Sequence, residues 1–218
     1  MVPEETLTGA TLRTPKAAAA AGIIFSLLVL TAFWLLRISM PADPLEPGAW
    51  LDTSTTAIVV ALNILPFAGI AFLWFIGVLR DRLGQHEDQF FATVFFGSGL
   101  LFLAMLFIAA AIVGAIILAF AAQPKDLINS ATFHFARAVA YGIVNIYMIK
   151  IAGVFIITTS TVAIYTKFAP RWIAFLGYGL GLIILLGSYY IDWSFIVFPL
   201  WVLLLSTHIL IDNMRRSS

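Results

Sequence analysis

Residues 90–122 read FFATVFFGSGLLFLAMLFIAAAIVGAIILAFAA, 33 positions without a single charged side chain. A run this long far exceeds a core strand, and it lacks the two-residue alternation of a membrane barrel strand. In hydrocarbon, backbone N–H and C=O groups must be satisfied within their own segment, so such a run is a helix that crosses a bilayer. Pro124 stops it, because proline has no N–H to extend the ladder.

The same pattern continues in both directions. Of 218 residues, 62% are hydrophobic and only 11% are charged, whereas soluble domains are about half apolar and about a quarter charged. Hydropathy and breaker residues place spans at 17–36, 56–79, 90–122, 127–166, 172–189 and 194–211. Thr14 and Pro15 suit the start of the first, Asp52, Thr53 and Ser54 the start of the second, and Asp192 and Ser194 the start of the last. Pro170 separates the fourth from the fifth. The apolar run after Arg13 and Lys16 has full bilayer length and no small-residue cleavage site behind it, so it reads as a retained anchor. The expected fold is all-α: a polytopic bundle of six spans, a single transmembrane domain over residues 1–218.

Loop charges orient it. Arg13, Lys16, Arg80, Arg82, Lys167, Arg171, Arg215 and Arg216 fall on one side. Arg37 and Lys125 fall on the other, plus Arg137 if it lies outside the core, together with Asp43, Glu46, Asp52, Asp126 and Asp192. Basic loops stay in the cytoplasm, so both termini are expected there. Trp34, Trp74, Trp172 and Trp193 lie near span ends, where interfacial aromatic anchors belong. A net charge of +1 without a basic block argues against nucleic acid as a partner. The absence of cysteine excludes disulfides, thiolate metal sites and cysteine nucleophiles.

The stretches FLWFIGVLRDRLG at 72–84 and FFATVFFGSGLLFLAMLF at 90–107 resemble a group of bacterial six-span integral membrane proteins of unknown function. The resemblance implies a bacterial cytoplasmic membrane and carries no activity with it.

Two spans exceed the bilayer. The third, at 33 residues, is roughly 50 Å long, and the fourth stretch, at 40, roughly 60 Å; a ~30 Å core needs about 20 residues. Two readings are open. In one, the pair projects beyond the outer surface as a hairpin, and its uncharged tip at 111–122 needs a partner or sister subunit to cover it. In the other, 127–140 is a separate interfacial helix and Gly142 marks a bend.

The fourth stretch also carries the polar candidates. Ser130, His134, Arg137, Tyr141 and Asn145 share one helical face at the outer boundary. This is either a binding face for an anionic ligand or lipid headgroup, with Arg137 as the fork donor, or an amphipathic surface meeting water. Lys150 lies on the opposite face. It is either a functional intramembrane cation or a side chain that snorkels to the interface. Pro66 kinks the second span beside Asn63, which marks either a pathway or an ordinary membrane-helix proline. Gly177 and Gly181, with Gly97 and Gly99, read as helix-packing positions.

No catalytic constellation emerges. His134 falls near the outer boundary and His208 near the cytoplasmic one, so they cannot clamp one haem; His86 is in a loop, and no metal-ligand spacing occurs. Ser206 and Thr207 beside His208 are sequence neighbours, which point apart on a helix. No cofactor is expected. The expected role is a non-enzymatic accessory or scaffold subunit or a homo-oligomer in membrane lipid. The alternative is a small transporter or channel for an anion or amphiphile that uses Arg137 and Lys150.

Overall fold

The computed structural model describes residues 14–83, 89–187 and 194–215. Arg13, His86, Asp192, Trp193 and Arg216, and the expected end of the fifth span at 189, lie outside them. The described chain is helical: α1 (Thr14–Ser39), α2 (Leu51–Leu83), α3 (Gln89–Ala122), a short α4 (Pro124–Leu127), α5 (Ala131–Gly142), α6 (Ile149–Thr166), α7 (Arg171–Gly187) and α8 (Ser194–Arg215). A 3-10 turn at Gly48–Trp50 leads into α2, and a π-helical segment at Ile143–Met148 joins α5 to α6.

Five helical runs are long and apolar enough to cross a membrane: Lys16–Ser39, Gly48–Arg80, Phe90–Ala122, Ala131–Thr166 and Ser194–Arg215. The sixth apolar helix, Arg171–Gly187, has 17 residues. Its start is set by the loop after α6, where Lys167 takes a left-handed conformation (φ 55°) and Pro170 forbids continuation.

Helix lengths differ from the expectation at two places. α2 has 33 residues, so it is nearly as long as α3. Asp52, Thr53 and Ser54 sit inside its first turns rather than before them, because the 3-10 turn starts the helix earlier. Gly142 is helical (φ −60°, ψ −42°), so the fourth stretch continues through it without a break in the helix. Ala131–Thr166 is one run of 36 residues.

Three long helices and three shorter ones make a stepped bundle. α1 packs on α2 and α8, α6 packs on α7, and α3 runs along α2 and along the α5–α6 column. Each long helix is about 50 Å, roughly 20 Å more than the hydrocarbon core. The surplus of all three falls on the side of the 40–50 loop and forms a small head with its own core. Leu51, Ile58, Val113, Ile116, Ile117, Phe133 and Ala140 are buried there together. One face of the α3 tip, expected to need a partner, is therefore covered by this chain's own α2 and α5.

The main bundle closes on a knot of rings. Phe72 of α2 lies 4.5 Å from Phe25 of α1, 5.6 Å from Phe102 of α3, 5.4 Å from Phe155 of α6 and 5.7 Å from Phe198 of α8, centroid to centroid. Phe75 and Phe95 extend the knot. All seven rings are buried. Most of their contacts are tilted or edge-on, the arrangements that the ring quadrupole favours.

Small residues set the α6–α7 spacing. A Cβ on Gly181 would sit 2.6 Å from Ile157 Cγ1 and 3.1 Å from the Gly153 carbonyl, and one on Gly153 would sit 3.0 Å from the Gly181 carbonyl. Gly177 packs against Ser160 and Trp201. Gly99 touches Phe155 and Ile76, while Gly97 faces open space. The polar run Thr158–Thr161 in α6 does not make a hydrophilic path. Thr158, Thr159, Ser160 and Thr161 return their hydroxyls to the carbonyls of Val154, Phe155, Ile156 and Ile157, as membrane helices require.

Candidate functional site

The loop between α1 and α2 contains Pro41, Pro44 and Pro47. Proline supplies no N–H, so this loop cannot bond its own carbonyls in a regular ladder. It needs donors from elsewhere. Asp43 makes a local turn, its Oδ1 accepting from the Leu45 N–H at 2.8 Å, and its carbonyl accepts from the Glu46 N–H at 3.3 Å. Gly48 N–H reaches across to the Ile128 carbonyl at 3.3 Å.

A further donor is Arg137. Ser130 caps α5, its Oγ accepting from the Phe133 N–H at 3.1 Å, and this fixes the helix phase two turns before Arg137. Phe133 then seats in the head core, and Arg137, four residues on, points the same way. Arg137 is only 5% exposed. Its Nη2 donates to the Pro41 carbonyl at 3.1 Å and to the Asp43 carbonyl at 3.0 Å. Its Cζ stands 4.9 Å from the ring centroid of Trp50. Asp43 and Glu46 add electrostatic attraction. Arg137 thus staples the proline loop to α5. It does not stand on a water-facing polar surface, which is one of the two readings its spacing left open. Its Nε, Trp50 Nε1 and His134 Nδ1 are buried without a hydrogen-bond partner.

Beside this staple is a cavity of about 170 Å³. It lies in the step of the bundle, where α1 ends and α8 begins while α3 and α5 continue outward. Its lining combines the apolar Phe33, Leu36, Met40, Val113, Val144 and Phe195 with the polar Arg37, Arg137, Tyr141 and Asn145. Three residues of the expected stripe therefore line one notch, joined by Arg37 from α1. The notch faces the π-helical segment, a distortion that recurs at functional sites.

The other candidates lie elsewhere. His134 is half-buried and turns its ring edge-on to Phe133. Asn145 donates to the Tyr141 carbonyl at 3.0 Å, and Asn63 to the Val59 carbonyl at 2.8 Å. Asn63 and Pro66 are both exposed, and α2 runs unbroken past Pro66. Lys150 is exposed, on the outside of the bundle near the exposed Tyr147. It does not meet Asn63 in the interior. Arg37, Pro41 and Trp50 carry no site signal in the sequence beyond an aromatic residue soon after a proline-locked loop. On the opposite side of the bundle, Lys167, Arg171, His208 and Asp212 border a wider depression of about 400 Å³.

Comparison of the chain with protein-family models, with curated proteins and with solved structures gives no match.

Proposed function

We propose that this chain is a six-span protein of a bacterial cytoplasmic membrane with both ends inside, and that it acts as a non-enzymatic accessory or scaffold subunit through its outer head. The sixth span is α7, whose 17 residues give about 26 Å, close to the ~30 Å core. The observation that carries the scaffold reading is the uncovered side of the head. Leu118 is 75% exposed and Phe135 is 71% exposed. Ala115, Ala119, Ala122 and Ala138 are exposed with them. By helix length this surface stands beyond the hydrocarbon, where lipid does not cover it. Apolar surface in water marks an interaction site.

The conducting alternative has less support. The phenylalanine knot fills the bundle centre, and Lys150 lies on the lipid-facing exterior rather than along an axis.

The natural absence of cysteine makes the test clean. Leu118→Cys and Phe135→Cys, each alone, should crosslink into a defined homo-oligomer or to a stoichiometric membrane partner, and purified protein should have the matching mass. A monodisperse monomer whose single thiol, in each variant, labels fully from the outer water phase, with no crosslink, overturns the scaffold reading. Anion flux in liposomes that disappears in Lys150→Ala would restore the transport reading.

A further inference from the structure

We infer that the notch beside Arg137 is a binding site for the anionic headgroup of a membrane amphiphile, a phosphodiester lipid. The inference rests on the proposed topology but not on the scaffold reading, which concerns the exposed Leu118 and Phe135 of the head.

Depth is the first ground. Counting about 20 residues up from the cytoplasmic ends of α3 and α6 puts the outer edge of the hydrocarbon near residues 110 and 147. α1 meets that level near its end and α8 near its beginning, and the notch sits between them. Lipid phosphates are therefore the molecules at its mouth.

The walls are the second ground. Phe33, Leu36, Val144 and Phe195 line it together with Arg37, Arg137, Tyr141 and Asn145. A lining that combines apolar side chains with two guanidinium groups suits a molecule with a hydrocarbon end and an anionic end. The volume agrees. About 170 Å³ equals about five to six water volumes. That is enough for a phosphodiester and its first methylenes, but too little for a whole lipid. The chains would lie outside along α6 and α8.

The charge balance is the third ground. The hydrogen bonds of Arg137 go to two carbonyls rather than to a carboxylate. A guanidinium held by dipoles keeps its net charge for a further anion. Asp43 and Glu46 oppose this from the loop, but both are exposed to water, which screens them.

The test uses the full chain in nanodiscs and counts bound lipid by native mass spectrometry. One set holds phosphatidylcholine alone, and the other holds phosphatidylcholine with phosphatidylglycerol. The wild type should retain one phosphatidylglycerol per chain in preference to phosphatidylcholine. Arg37→Gln should weaken that retention about tenfold, the worth of one charge-assisted bond. Ala42→Trp should abolish it by filling the notch from an exposed position, with the melting temperature unchanged. Equal retention of the two lipids, or retention indifferent to both variants, overturns the inference. Displacement of the lipid by inorganic phosphate at millimolar concentration also overturns it, because the site would then belong to the free ion.

Discussion

Replacing Arg137 by alanine should release the proline loop without unfolding the bundle. Two bonds from a charged donor to carbonyls contribute about 1.5 kcal/mol or more each. The contact with the Trp50 ring adds about 0.5–1 kcal/mol. Water can recover part of this, because Asp43 is exposed and its carbonyl rehydrates once the loop lifts. A net loss of about 3 kcal/mol remains, and at 1.4 kcal/mol per tenfold it corresponds to roughly a hundredfold rise in loop opening. The natural reporter is the Gly48 amide, whose bond to the Ile128 carbonyl exists only while the loop is docked. Hydrogen exchange of residues 40–50 should accelerate by about that factor in Arg137→Ala. Exchange within α6 and α8 should hardly change, since their core is the separate phenylalanine knot. Arg137→Lys should fall between, because an ammonium keeps the charge and can still donate but loses the planar guanidinium face beside the Trp50 ring. Unchanged exchange over 40–50 in the alanine variant, or equal acceleration over the whole bundle, would refute the staple.

Two further substitutions probe the bundle itself. Gly181→Ala pushes a methyl into Ile157 and toward the Gly153 backbone, and should cost about 1–3 kcal/mol in a denaturation titration. Gly179→Ala, which would meet nothing within 4 Å, should be neutral beside it. Phe72→Ala empties the hub of the ring knot and should cost about 3–5 kcal/mol, seen as a large fall in melting temperature. A fall no greater than that of Gly179→Ala would mean the rings do not hold the helices together.

The sequence by itself determined that the chain is helical, where most of its apolar helices run, and that some of them outreach the bilayer. The reason is local: in lipid a backbone can satisfy its hydrogen bonds only within its own helix, so hydropathy and prolines locate the segments. It did not determine faces. α3 is apolar all round, so periodicity carries no signal of its packing partners. The π-helical segment adds a residue to its turn and rotates the residues after it by about 100°, so a wheel drawn through Arg137 and Lys150 at constant pitch cannot place both. Nor did composition show that the length of α2 nearly matches that of α3, because polar Asp52, Thr53 and Ser54 look like a start and prove to be inside the helix. Tertiary structure alone decided the role of Arg137. A basic residue on an outer helix reads as solvated until the loop 94–96 residues earlier is seen to bring it the Pro41 and Asp43 carbonyls.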